Sequence, residues 1–146
     1  MNWCYLHPAF VVMTIVIGLL AYFQGKHGHK LKADDEARGT KWRRIHIGIG
    51  VVFFLSLLNA FGWGFYSQVF FRGENILKTT HAWVGVITFI VFTLCSLTGL
   101  QIALGKKELS ESNHSKFGLI GFALTLVQTI LGWPLLPWDW FYLRLL

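Results

Sequence analysis

Four long apolar runs constrain this chain more than anything else in it. They extend from about Trp3 to Phe23, Ile45 to Tyr66, Ala82 to Leu104 and Phe117 to Leu136. Each is close to the roughly 20 residues that cross about 30 Å of hydrocarbon as an α-helix. A bilayer core offers no water to backbone groups, so each run must satisfy its own hydrogen bonds by forming a helix. The expected fold is an all-α integral membrane protein: an antiparallel bundle of four transmembrane helices spanning residues 1–136. A mean hydropathy of +0.52 and only 14% charged residues agree with that class, against about 25% charged in ordinary soluble domains. Pro134 and Pro137 stop the last helix from continuing unbroken. With Trp138 and Trp140, residues 137–146 read as an aromatic tail in the membrane interface. No Lys or Arg precedes the first run and no small-residue cleavage signal follows it, so it is expected to stay as a helix.

The net charge of +6 does not point to nucleic acid, because the basic residues are confined to the connections between apolar runs. If the helices alternate direction, one face of the bundle carries Lys26, Lys30, Lys32, Arg38, Lys41, Arg43, Arg44, Lys106, Lys107 and Lys116. The other, which also holds the N-terminus, carries Arg72, Lys78 and Arg144. We call these the basic face and the near face. The positive-inside rule places the basic face in the cytoplasm or a plastid stroma, and both termini on the periplasmic or lumenal side. A bacterial plasma membrane and a thylakoid satisfy this equally. The two cysteines, Cys4 and Cys95, form no C-x-x-C pair, so no zinc ribbon and no covalent c-type haem attachment is expected.

Six histidines remain to be placed. His27 and His29 fall in the charged connection and are expected to be solvated. His7, His46, His81 and His114 each lie near the start of a different helix. Alternation brings His7 and His81 to the near face and His46 and His114 to the basic face, as two pairs on diagonal helices. Glycine follows three of them at the fourth position, at Gly50, Gly85 and Gly118, on the same helical face. Such a glycine leaves room for a flat ring to approach the backbone. Glycine recurs eighteen residues after the same three histidines, at Gly64, Gly99 and Gly132. That distance is five helical turns, about 27 Å, so each distal glycine should face whatever the opposite histidine pair holds. Helix 1 departs from the pattern, with Gly18 eleven residues after His7.

Ionisable residues inside a membrane are costly and usually functional. Four histidines in two facing pairs are the donor set for two bis-histidine b-type haems, and the pairs lack the further Cys, Asp or Glu that zinc would favour. Two plainer readings stand beside this one: interfacial histidines bonded to water, and glycines that only let helices pack closely. Asn59, Gln128, Thr93, Ser96 and Thr98 are expected to make interhelical hydrogen bonds, and Cys95 to be a small core residue.

With these residues in place, the pattern resembles the four-helix core of the cytochrome b561 superfamily. The opening His7-Pro8-Ala9-Phe10, the stretch His81-Ala82-Trp83-Val84-Gly85, and the run from His114 through Gln128-Thr129 to Gly132 carry the likeness. They are also similar to a branch of small four-helix proteins found in oxygenic phototrophs. The resemblance implies that His7 and His81 ligate one haem b, and His46 and His114 the other. It implies transmembrane electron transfer by a membrane oxidoreductase of that type; an anionic donor at the basic face and a quinone under the near-face aromatic tail are the expected partners. Arg43 and Arg44, with Lys41, Lys106, Lys107 and Lys116, would pair with haem propionates or attract an anionic donor. Besides membrane lipid, a homodimer or a larger complex remains open as an assembly. The alternative function is a small accessory subunit, of a photosynthetic complex for example, that binds haem or chlorophyll without turnover of its own.

Overall fold

The computed structural model describes residues 6–71, 77–105 and 110–135. The tail 137–146 lies outside them, as do Cys4, Arg72, Lys106 and Lys107. Four helices appear in chain order: α1 Leu6–Asp34, α2 Glu36–Tyr66, α3 Thr80–Ala103 and α4 Ser110–Gly132. A π-helical turn, Ser67–Phe71, follows α2, and a 3-10 turn, Trp133–Leu135, follows α4 where Pro134 ends the α-helical pattern. All four helices are long and apolar enough to cross a membrane, and the protein is an integral membrane protein. Pro8 is tolerated in α1 because it sits in the first turn, where its missing N–H costs nothing.

The helices outrun the apolar segments that signalled them. Gln24–Arg44, expected as a loop, is helical except at Asp35. Hydropathy marks where the hydrocarbon ends, whereas Lys, Glu, Ala and Arg continue a helix into water at little cost. Asp35 has an extended backbone and caps α2 by accepting from the Arg38 N–H at 3.1 Å. The extended helices also hold each other: a Cβ on Gly28 would lie 3.2 Å from Cβ of Trp42, and the His27 ring stands edge-on to Trp42 at 4.8 Å. His27 is therefore exposed but not bare.

Two antiparallel hairpins result, α1 against α2 and α3 against α4, and the hairpins approach each other less closely than their own helices do. What bridges them at mid-height is aromatic. Phe53 and Phe92 rings lie 4.9 Å apart, Phe92 and Phe122 5.7 Å apart, and Leu57 completes a buried cluster with Phe53 and Phe92. Gly18 and Gly121 face this cluster; a Cβ on Gly121 would come within 2.6 Å of Phe92. Gly18 is therefore a packing residue. Thr14 and Ser56 share a buried hydrogen bond of 2.7 Å that ties α1 to α2. Outside, the bundle is inverted relative to a water-soluble one: Val12, Phe23, Leu119, Leu126 and Ile130 are all more than half exposed, as a lipid-facing surface requires.

Three further polar residues within the spans bond locally. Thr93 donates to Phe89 O, Thr98 to Leu94 O and Cys95 O, and Asn59 to Leu55 O. The expectation of interhelical bonds fails at these residues. A hydroxyl or amide on a helix reaches its own carbonyl four residues back sooner than it reaches another helix.

Candidate functional site

The four membrane histidines occupy equivalent seats. His7 Nδ1 donates to Ala60 O at 2.8 Å, and His46 Nδ1 donates to Ala21 O at 2.8 Å, so α1 and α2 serve each other. His81 Nδ1 donates to Gln128 O at 3.1 Å and His114 Nδ1 to Cys95 O at 2.9 Å, so α3 and α4 do the same. A carbonyl has no proton to give, so each imidazole must carry its proton on Nδ1. That fixes the tautomer and puts the basic lone pair on Nε2.

Each accepting carbonyl lies four residues before a glycine: Gly25, Gly64, Gly99 or Gly132. The reason is steric. A helical Cβ leans toward the N-terminus and covers the turn before it. Glycine leaves that carbonyl open, and the imidazole fills the gap. A Cβ added at Gly64 would lie 2.9 Å from His7 Cε1, at Gly25 3.0 Å from His46, at Gly99 3.0 Å from His114, and at Gly132 2.7 Å from His81. So Gly64, Gly99 and Gly132 face the opposite histidines themselves rather than what those histidines hold.

Gly25 was not among the residues expected here, yet it lies eighteen residues after His7. The pattern H-x17-G thus holds in all four helices, and helix 1 is no exception. The spacing was visible in the sequence, but assigning Gln24 onward to a loop hid it. Ala21, Ala60 and Cys95 had no signal of their own, because only their carbonyls act as acceptors for the seated imidazoles.

The earlier glycines divide. Gly85 makes room for the Gln128 side chain, whose Nε2 would lie 2.9 Å from an added Cβ, and Gly118 makes room for Cys95 Sγ at 3.7 Å. Gly50 has nothing within 4 Å. Arg43 donates from Nη2 to Ile102 O at 2.7 Å, closing the C-terminal turn of α3. Arg44 lines an open groove with Glu36, Thr40 and Lys41 on the basic face.

The rings meet as the sequence pairs them. His7 and His81 have centroids 6.2 Å apart with planes at 84°, and His46 and His114 have centroids 5.9 Å apart at 89°. An imidazole nitrogen sits about 2 Å from a bound transition metal and about 1 Å from its ring centroid, so two trans ligands place their centroids about 6 Å apart. Both pairs match that separation. Among the described residues no group of three or more His, Cys, Asp or Glu converges, so each donor set is two imidazoles. A cavity of about 320 Å³ opens between the hairpins at the near face, lined by His7, His81, Gly85, Phe89, Phe122 and Gln128 among others. Near the other pair, Gln24 Oε1, next to Gly25, is buried without a hydrogen-bond partner. A polar-edged group bound there would satisfy it. Each end presents the imidazole pair that a haem would need.

Four membrane helices carry opposed imidazoles at two levels, a donor arrangement suited to a flat metal cofactor. Residues 37–135 match the family described as eukaryotic cytochrome b561. That is well over half of the chain, and it includes His46, His81 and His114 but not His7. The chain belongs to the cytochrome b561 family, whose members bind haem b and carry electrons across membranes. No curated protein and no solved structure matches it.

Proposed function

We propose that His7 with His81, and His46 with His114, each ligate one haem b, and that the pair conducts electrons between a donor at the basic face and a quinone or protein partner at the near face. The observation that supports this most strongly is the ring spacing, 6.2 and 5.9 Å, in histidines whose Nδ1 protons are all committed to carbonyls. When bound, haem b supplies a one-electron iron couple. The carbonyls orient the four imidazoles and raise their basicity. Held by two imidazoles, such a haem would suit electron transfer rather than oxygen activation. Phe53, Phe92 and Phe122 keep water out of the segment between the two levels. Lys41, Arg44 and Lys116 raise the local concentration of an anionic donor. The positive-inside rule then sets the near face toward the periplasm or lumen, in a bacterial plasma membrane or a thylakoid.

Haem stoichiometry and the reduced-minus-oxidised spectrum of the purified protein test this reading. Two low-spin b haems per chain are expected. One haem or none would overturn the two-site assignment, and extractable chlorophyll in its place would favour the accessory-subunit alternative.

One observation bears on assembly. Asn59 faces outward from α2 within its membrane span, and its single bond, from Nδ2 to Leu55 O at 2.9 Å, leaves one N–H and Oδ1 over. Gly48, Val52, Leu55, Asn59 and Gly62 form an outward stripe with alternating steps of four and three residues, the spacing of a helix–helix seam. A Cβ on Gly48 or Gly62 would meet nothing within 4 Å. A carboxamide carries both donor and acceptor, so it complements its own copy across a twofold axis. A homodimer through α2 is the assembly this face suits. Asn59→Leu is expected to cost about 1 kcal/mol, roughly fivefold in association. Förster transfer between labelled chains in detergent would measure it, and unchanged association would count against α2 as the seam.

A further inference from the structure

The four histidine seats share one backbone design and differ in the side chain that accompanies the accepting carbonyl. At Ala21 and Ala60 it is a methyl group, which offers His46 and His7 nothing further. At Gln128 the side chain lies against Gly85, and the His81 bond to the backbone is the longest of the four, at 3.1 Å. Cys95 is different. Its Sγ lies 3.5 Å from His114 Nδ1, while the Cys95 carbonyl accepts from that same nitrogen at 2.9 Å. The thiol in turn donates to His114 O at 3.4 Å. With its proton directed there, the sulfur presents lone pairs to the Nδ1–H. One imidazole proton is thus shared between two acceptors belonging to one residue.

We propose that Cys95 is a positioning residue that tunes the metal site at the basic face by sharing the Nδ1 proton of His114. This rests on the reading that His46 and His114 hold a haem. A second acceptor draws the proton further from the ring, gives His114 more imidazolate character and makes it a stronger donor to iron. A stronger donor favours the ferric state and lowers the reduction potential. Gly118 leaves space for the sulfur: its absent Cβ would be in ordinary contact at 3.7 Å. The same device has room on the other side of this site. Gly50, four residues after His46 as Gly118 is four after His114, has nothing within 4 Å, and the residue offering its carbonyl to His46 is Ala21.

The test is a potentiometric titration of the purified full-length protein, followed optically, in Cys95→Ala and Ala21→Cys. The basic-face haem is identified as the one missing from His46→Ala. In Cys95→Ala its midpoint potential should shift upward while the near-face haem is unmoved. In Ala21→Cys the same haem should shift downward. Cys95→Ser, which keeps a hydroxyl donor and acceptor at the position, should shift less than Cys95→Ala. No shift in Cys95→Ala, or an equal shift in both haems, overturns the proposal. If Cys95→Ala loses the basic-face haem, Ala21→Cys decides, and an unshifted potential there overturns it. A parent protein without haem overturns this proposal together with the ligation on which it rests. A parent with two haems and no selective shift overturns this proposal alone.

Discussion

His46→Ala is expected to remove one of two haems and leave the other, halving the haem bound per chain. In the proposed ligation the four histidines form two independent pairs, with rings 6.2 Å apart in one and 5.9 Å in the other. The levels are separated by eighteen residues of helix, about 27 Å. Losing one imidazole would leave its partner alone to hold a haem at that level and would not touch the other pair. His114→Ala should therefore reproduce His46→Ala, and His7→Ala and His81→Ala should each remove the other haem. The cost to folding is smaller: one hydrogen bond to Ala21 O, worth about 1 kcal/mol. Haem-to-protein ratios from extracted pigment, with the low-spin signals in electron paramagnetic resonance, would measure this. Loss of both haems in any single variant, or of neither, would break the pairing.

Gly132→Ala should be the most damaging of the alanine substitutions at the four histidine seats, with loss of the near-face haem alone. In an open helix position alanine is more favourable than glycine by about 1 kcal/mol. At residue 132 that gain is overridden, because the new methyl carbon would stand 2.7 Å from His81 Cε1. The ring cannot swing aside without breaking its bond to Gln128 O and leaving the spacing that opposes it to His7. Gly48→Ala supplies the contrast, with nothing within 4 Å of its added carbon; full haem content and unchanged or raised thermal stability are expected. Gly25→Ala, at 3.0 Å from His46, should affect the basic-face haem and spare the other. Haem content of Gly132→Ala equal to that of Gly48→Ala would show that the imidazole relaxes freely, and would remove the glycine seat from the site.

Much of this arrangement was legible from residue order. Hydropathy reports burial in hydrocarbon, so four apolar runs disclosed four spanning helices. Helical rise is constant, so counting residues along alternating helices placed His7 with His81 and His46 with His114. Other features depend on contacts that residue order does not show. Hydropathy says nothing about where a helix stops in water, so the charged stretch from Gln24 reads as a loop and Gly25 has no visible place in the repeat. Gly85 and Gly118 were expected to make way for a flat cofactor; they also lie against Gln128 and Cys95 of the facing helix, and Gly85 lines the near-face cavity. Cys95, expected as a small core residue, also reaches His114, a contact that no spacing announces. Asn59 was expected to bond across helices, and it faces away from them.

The sequence by itself determined how many helices cross the membrane, in which sense each runs, and at what level each histidine stands. Those properties depend on composition and on a fixed rise per residue, both local to one segment. Only the tertiary structure decided which histidine meets which carbonyl and why glycine recurs at the eighteenth position. An imidazole proton needs a carbonyl that no Cβ covers. Inside one helix that carbonyl is already bonded and shielded, so the opening has meaning only when an antiparallel neighbour brings a histidine to its level.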